Sequence, residues 1–299
     1  VTLRGINLGS ANPEVEILLN ASPQNIHPEK LQSLVLNGEN RIFIKAADLS
    51  GASSEIIQLP DTSSTWFVKK PKGEVLIFDD YKGTATTDVQ ITQFYNQVFS
   101  EMNGGVLAEK FDVFDLAKNS VAFESVTLLE TLKLFKYVFW YSAADPRLDL
   151  LNIVTEKYNQ AGGKIAFSMT FQDSTGEYPY DISSLQGFLP IDAISAPLGV
   201  FGTILPGAEV RPAATNDFPI LRTVGSIQYV RSLTENNIIA ENIYDLFDRD
   251  GIRLGNVAFR TRTKNLFFIG MPLNQCNGGQ ANVSVLLTKI FFEDFGVTP

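Results

Sequence analysis

Four aspartates and one serine are the residues of this sequence whose types and spacing suggest a functional site. Asp79 and Asp80 end a predicted strand, and Asp145 and Asp173 follow two later strands. Ser168 lies at the end of the strand that precedes Asp173. If these strands are parallel, all five side chains lie along the carboxyl edge of one sheet, where such sheets bind ligands. Carboxylates gathered there would suit a hard cation or a polyol.

Each of these residues also has a structural interpretation. Asp145 precedes Pro146 and fits the N-cap of a helix. Asp79 and Asp80 are adjacent, so a strand would point them to opposite faces. Ser168 is small enough to fill a tight turn. Two chemical alternatives also remain open: a carboxylate pair acting as acid and base on a glycoside, or Ser168 acting as a nucleophile with a Lys, Asp or Glu base.

The cysteine and histidine counts exclude most familiar catalytic sites. The chain has one cysteine, Cys276, and one histidine, His27. It therefore has neither an intramolecular disulfide nor an imidazole cluster for zinc, copper or non-haem iron. Cys276 precedes the last predicted helix, whose N-terminus would lower a thiol pKa, but a tolerated single thiol is the simpler interpretation. We expect no cofactor and assign no residue to a metal site.

Charge and hydropathy exclude two classes of partner. Among 299 residues, Lys and Arg number 24 and Asp and Glu 33, for a net charge of -9. Neutralisation of phosphates, which drives nucleic-acid binding, has no evident source, so we expect no nucleic-acid partner. No apolar run approaches the roughly 20 residues of a membrane helix, so we expect no membrane span.

Residues 1–70 have the pattern of a small all-β module. Short apolar segments such as Arg41-Ile42-Phe43-Ile44-Lys45 alternate with turn formers such as Asn37-Gly38-Glu39-Asn40. The pattern predicts a β-sandwich. Pro71-Lys72-Gly73 then marks a domain boundary. The chain begins at Val1 without an initiating Met, so we interpret it as a mature or trimmed fragment.

Residues 74–299 alternate between buried strands and amphipathic helices. The first helix is indicated by Ile91, Phe94, Tyr95, Val98 and Phe99, which are spaced along one helical face. Such alternation predicts an α/β domain with a doubly wound, mostly parallel sheet covered on both faces. Residues 176–219, rich in Gly and Pro, are predicted to form long loops. A last helix with Asn282 as N-cap is predicted to close the domain.

The second domain resembles the class I glutamine amidotransferase-like superfamily, which has a flavodoxin-like α/β fold. The resemblance rests on Val75-Leu76-Ile77-Phe78-Asp79-Asp80, the strand at 137–142, Ala161-Gly162-Gly163-Lys164-Ile165-Ala166-Phe167-Ser168, and Phe267-Phe268-Ile269-Gly270-Met271-Pro272-Leu273. The first domain is similar to immunoglobulin-like or fibronectin type III-like modules through residues 40–51. It is shorter than the ~100 residues usual for an immunoglobulin domain.

The resemblance implies a catalytic triad that this sequence lacks. Active members of the superfamily place a cysteine at the turn after a central strand and pair it with a late histidine and a glutamate. Here the matching turn is Ser168-Met169-Thr170, and His27 lies in the other domain. We therefore expect a protein that is not a functional glutaminase or amidotransferase.

These observations lead to a functional hypothesis with two rivals. The α/β domain is expected to be non-catalytic and to bind a small polar ligand, such as a carbohydrate, through Asp79, Asp80, Asp145, Ser168 and Asp173. The β module would serve as a spacer or a docking surface for a protein partner. The layout, similar to that of surface proteins, favours an extracytoplasmic or cell-surface location. The rivals are a divergent hydrolase and an interaction module whose crevice is closed. Trp66, Tyr81, Tyr178 and Tyr180 are further candidates for stacking on a sugar, although packing within turns is the simpler interpretation of each.

Overall fold

The chain divides into two compact units, Val1–Lys70 and Pro71–Pro299. The structure is a computed structural model that describes residues 2–7, 14–18, 39–45, 50–59, 61, 66–67, 69–118, 125–172, 182–213, 216–276 and 280–298.

The strands of the first unit form one five-stranded sheet. They are β1 (Thr2–Asn7), β2 (Glu14–Leu18), β3 (Glu39–Lys45), β4 (Ile57–Leu59) and β5 (Trp66–Phe67). The order is β2-β1-β3-β4, with β5 also paired to β3, and every pairing is antiparallel. The described residues of this unit include no second sheet facing the first. The immunoglobulin-like or fibronectin type III-like sandwich therefore stays a prediction.

A nine-stranded mixed sheet forms the centre of the second unit. The strands of this unit are β6 (Val75–Asp80), β7 (Phe111–Asp115), β8 (Tyr137–Ser142), β9 (Lys164–Ser168), β10 (Ile191–Pro197), β11 (Thr203–Ile204), β12 (Glu209–Pro212), β13 (Leu221–Arg222), β14 (Ile227–Gln228), β15 (Arg231–Glu235), β16 (Ala240–Phe247), β17 (Arg253–Thr261) and β18 (Leu266–Ile269). The large sheet has the order β13-β12-β16-β17-β18-β9-β8-β6-β7, while β10 pairs with β15 and β11 with β14.

The adjacent strands β7, β6, β8, β9 and β18 are parallel to one another. From β18 onward, each of β17, β16, β12 and β13 is antiparallel to the strand before it in the sheet. Every residue of β6 and β8 is buried, as expected for strands covered on both faces. Their nearly unbroken apolar runs are the sequence feature that requires such burial. The α/β class and the large, mostly parallel sheet are confirmed.

Helices cover both faces of this sheet. They are α1 (Ala85–Gly105), α2 (Ser125–Leu132), α3 (Leu148–Gln160), α4 (Ile182–Gln186) and α5 (Gln280–Thr288), with a 3₁₀ turn at Leu273–Gln275 and a π-helical segment at Lys289–Asp294. Residues of α1 and α5 share one apolar core, and those of α2, α3 and α4 share another. Successive β6 residues alternate between these cores, which is how one strand anchors both layers.

Two predictions about the secondary structure of residues 176–299 are wrong. Residues 176–219, predicted as loops, contain α4, β10, β11 and β12. The strands β10, β11 and β12 are stabilised by antiparallel pairing with β15, β14 and β16, respectively. The residues that specify these strands therefore include partners in distant segments of the sequence. The last helix begins at Gln280, so Asn282 lies within it rather than at its N-cap. The Asn282 side chain instead donates to the Ile220 carbonyl at 3.0 Å.

Candidate functional site

A cavity of about 330 Å³ opens at the carboxyl edge of the parallel strands, and we call it the edge cavity. Its walls come from segments that follow β6, β8, β9 and β18, from α1, and from the paired strands β11 and β14 with their flanking residues. It is lined by Tyr81, Ile91, Tyr95, Tyr141, Ser142, Ala143, Ala144, Thr170, Thr203, Ser226, Ile227, Gln228, Tyr229, Pro272, Asn274 and Gln275. This is where open α/β sheets bind ligands, and the volume falls within the roughly 300–1,000 Å³ range of small-molecule sites.

The described lining of the edge cavity combines polar and apolar side chains and carries no charged side chain. Amide groups come from Gln228, Asn274 and Gln275, and tyrosines from several segments. Amides and hydroxyls both donate and accept hydrogen bonds, whereas tyrosine rings offer apolar faces. Such a surface is chemically suited to a neutral ligand that has many hydroxyl groups and some apolar C–H surface.

Asp79 lies behind this cavity and positions two of its tyrosines. Its Oδ2 accepts hydrogen bonds from the Tyr141 hydroxyl and, at 2.9 Å, from Thr92 Oγ1. Its Oδ1 accepts from the Tyr81 backbone N–H at 3.0 Å. Asp79 is only 2% exposed, and this burial raises the pKa of its carboxyl group, although the hydrogen bonds oppose the rise. Asp79 is thus a positioning residue for Tyr81 and Tyr141.

Asp80 faces the opposite side of the sheet. Its Oδ2 accepts from the Arg147 backbone N–H at 2.8 Å and from Trp140 Nε1 at 3.3 Å. Its Oδ1 is buried and has no hydrogen-bond partner within the described part of the chain. Burial raises the pKa of Asp80 to about 6, and the Arg147 N–H limits the rise. The two adjacent carboxylates therefore share no site.

Ser168 is fully buried and connects two strand ends. Its Oγ donates to the Met271 carbonyl at 2.9 Å and accepts from the Leu273 N–H at 3.1 Å. The Tyr95 hydroxyl lies 3.4 Å from the same oxygen. Ser168 does not line the edge cavity. These hydrogen bonds fix the start of the 3₁₀ turn at Leu273. The other two residues of that turn, Asn274 and Gln275, line the edge cavity.

The other two predicted acids do not join Asp79 and Asp80. Asp145 is exposed and pairs with Lys82 at 3.1 Å. Its predicted role as a helix N-cap is wrong, because α3 begins at Leu148 with Arg147 in the N-cap position. Asp173 lies outside the described residues. Within the residues that the structure describes, no group of three or more His, Cys, Asp or Glu side chains could hold a metal ion.

Cys276 is buried at the end of the 3₁₀ turn. Burial raises the pKa of its thiol to about 12, so the thiolate needed for nucleophilic attack is scarce near neutral pH. Its Sγ lies 3.5 Å from the Pro272 carbonyl. His27 lies outside the described residues. The geometry gives Cys276 a packing role.

Tyr81, a predicted candidate for stacking on a sugar, lines the edge cavity, but most of the other lining residues were not predicted. Tyr178 and Tyr180 lie outside the described residues, as does the side chain of Trp66. Asn274 and Gln275 follow the predicted strand at 266–271, so the carboxyl-edge argument, extended to that strand, would have found them. No such sequence signal marked Gln228 and Tyr229. They reach the edge through β14, which pairs with β11 and not with the strands of the large sheet.

Comparisons with known proteins find a likeness to solved structures only at low sequence identity. No protein-family model and no curated protein matches the sequence. Among solved structures, a protein described as ThuA-like from Parabacteroides merdae ATCC 43184 is similar, with 13% sequence identity and a TM-score of 0.42. The match covers 74% of this chain and 88% of that one. A likeness at this level establishes neither an activity nor a ligand for this chain. Separately, none of the helices in the described ranges is long and apolar enough to cross a membrane.

Proposed function

We propose that the second unit is a non-catalytic binding domain that takes a small neutral polyhydroxylated ligand, of the carbohydrate class, in the edge cavity. The observation that supports this most directly is the lining, which combines tyrosines, amides and hydroxyls without a charged side chain among the described residues. A saccharide presents hydroxyl groups for hydrogen bonds and C–H faces for aromatic contact. We further propose that this unit is a divergent member of the class I glutamine amidotransferase-like superfamily.

The positions of the predicted catalytic groups support binding over hydrolysis. A nucleophile must reach the substrate, yet the Ser168 hydroxyl is buried and already bonded to two backbone groups. Acid and base catalysis of glycoside hydrolysis needs two carboxyl groups that flank one bond. Asp79 and Asp80 instead contact groups on opposite faces of the sheet. The hydrolase alternative therefore has less support than the binding proposal.

The extracytoplasmic or cell-surface location, and the role of the first unit as a spacer or protein-docking module, remain proposals. They rest on the sequence patterns of residues 1–70. Fractionation of the native host, followed by immunodetection with and without protease treatment of intact cells, tests the location. Protection from protease in intact cells would count against surface exposure.

Thermal unfolding in the presence of neutral saccharides tests the binding proposal. The panel holds monosaccharides, disaccharides and linear polyols, with sodium glucuronate as a charged comparison. A ligand at one hundred times its Kd stabilises the folded state by about 2.7 kcal/mol, which raises Tm by about 5 °C or more for a domain of this size. If no neutral member of the panel raises Tm at high millimolar concentration, the proposal is wrong.

Two glutamine variants test whether the ligand binds in the edge cavity. Gln228 and Gln93 are both exposed, but only Gln228 lines the edge cavity. Gln228→Ala should weaken binding about threefold to tenfold, as for the loss of one hydrogen bond, while Gln93→Ala should leave Kd unchanged. Equal effects of the two changes would place the ligand elsewhere. Turnover of an ester, amide or glycoside that Ser168→Ala abolishes would instead favour the hydrolase.

A further inference from the structure

A second cavity adjoins the edge cavity and extends it along the surface. This cavity of about 320 Å³, which we call the tip cavity, is lined by Pro197, Phe201, Gly202, Thr203, Gln228 and Tyr229. Thr203, Gln228 and Tyr229 line both cavities. The two spaces are therefore neighbouring parts of one groove that runs from the sheet edge to the turn at Phe201.

Phe201 is unusual in this turn both in its exposure and in its backbone conformation. Its side chain is fully exposed, although burial is the usual environment of phenylalanine. Its φ of 50° lies in the left-handed region, where Gly, Asn and Asp are favoured. Gly202, the other central residue of the turn, also has a positive φ of 75°. Turn chemistry alone favours Asn at this position, so neither the turn nor the core accounts for an aromatic ring there.

Backbone hydrogen bonds fix the turn that carries Phe201 at the end of the groove. The Val200 N–H donates to the Thr203 carbonyl at 3.0 Å, and the Thr203 N–H donates to the Val200 carbonyl at 3.1 Å. The Tyr229 N–H donates to the Gly202 carbonyl at 3.2 Å, and Tyr229 also has a positive φ, 62°. Two aromatic residues in strained backbone conformations thus line the same small cavity. Backbone strain of this kind concentrates at functional sites.

We propose that the ligand is an oligosaccharide of at least two units, with one unit in the edge cavity and the next in the tip cavity against Phe201. This inference rests on the proposed function and specifies its ligand class. The C–H face of a pyranose stacks on an aromatic ring, and its rim hydroxyls reach the Gln228 amide and the Thr203 hydroxyl. No described residue that lines either cavity is charged, so the oligosaccharide is neutral rather than a uronate or a sulfated glycan.

The dependence of affinity on chain length tests this inference. Isothermal titration of the full chain uses glucose, mannose, galactose and xylose and, for each sugar, its β-1,4-linked dimer and tetramer. For the sugar that binds, the tetramer should bind about tenfold more tightly than the monosaccharide, as expected for one added aromatic contact with its hydrogen bonds. Phe201→Asn keeps a residue suited to the left-handed turn but removes the ring, so it should abolish this gain and leave monosaccharide affinity unchanged.

Two further variants distinguish the loss of the aromatic ring from a general effect of substitution on the folded protein. Phe201→Trp retains an aromatic face and should keep the gain with chain length. Leu134→Ala removes another exposed apolar side chain, one outside both cavities, and should change nothing. Equal affinity for monosaccharide and tetramer in the unaltered protein, or a gain that survives Phe201→Asn, overturns the inference but leaves the proposed function intact. Failure of every sugar to bind, monosaccharides included, overturns both.

Discussion

Asp80 should make the second unit less stable as the pH rises from about 4 to about 6. Asp80 is 1% exposed, and burial raises the pKa of its carboxyl group to about 6 from its ordinary value of 3.8. In this interval the folded protein still holds a proton that the unfolded chain has released. The contribution of the protonated Asp80 carboxyl group to the unfolding free energy is therefore complete at pH values below its pKa in the unfolded chain. This contribution is lost as the pH rises through its pKa in the folded protein.

The magnitude follows from the size of the pKa rise. A difference of about two units corresponds to about 3 kcal/mol of unfolding free energy, at 1.36 kcal/mol per unit. Asp79, whose pKa burial also raises, contributes with the same sign. Asp80→Asn retains an oxygen that accepts the Arg147 N–H and removes the titration. The destabilisation caused by this change should be about 2 kcal/mol smaller at pH 7 than at pH 4, because pH 4 lies slightly above the unfolded pKa and the full difference is not yet reached there.

Urea denaturation of the two proteins at pH 4, 5, 6 and 7 measures this difference. Trp140 is fully buried beside Asp80, and its fluorescence in a Trp66→Phe background reports on the second unit alone. Asp145→Asn, at an exposed carboxylate that also follows a parallel strand, controls for the loss of one charge. If the free-energy difference between wild type and Asp80→Asn is the same at every pH, or grows as pH rises, the burial argument is refuted.

Three more expectations follow from single contacts. Ser168→Ala should lower the unfolding free energy by about 1–3 kcal/mol, because the buried Leu273 N–H loses its acceptor, and unchanged stability in urea would contradict this. Cys276 should resist a thiol reagent such as DTNB at pH 8 until urea unfolds the chain, and rapid labelling of the native protein would contradict its burial. Asp294→Ala should cost about 3 kcal/mol, because it removes one carboxylate from the mostly buried Arg260, and a calorimetric Tm within 1–2 °C of wild type would exclude so large an effect.

The strands around the site were predictable because their requirements are local. The run at Val75–Asp80 is apolar up to its last two residues, and that at Tyr137–Ser142 is apolar on both faces. Such segments need burial on both sides, which parallel sheets between helices supply. The same reasoning placed Asp79 and Ser168 at strand ends near the carboxyl edge, which is where the structure has them.

The direction in which those side chains point was not predictable. Strand periodicity assigns Asp79 and Asp80 to opposite faces, but it does not say which groups cover each face. Tyr141, Thr92 and the Tyr81 N–H surround Asp79, so its carboxylate supports the cavity wall instead of facing the cavity. These contacts join segments up to 62 residues apart in the chain.

The sequence by itself determined the α/β class of the second unit and the absence of a cysteine at the Ser168 turn. It also predicted a site at the carboxyl edge of the sheet, where the structure has a cavity. Only the tertiary structure decided which side chains line the cavity. Gln228 and Tyr229 reach it because β14 pairs with β11, and Phe201 ends the groove because the adjoining turn closes there. Periodicity and turn chemistry act over a few residues, whereas a cavity is formed by segments that meet only after long-range pairing has brought them together.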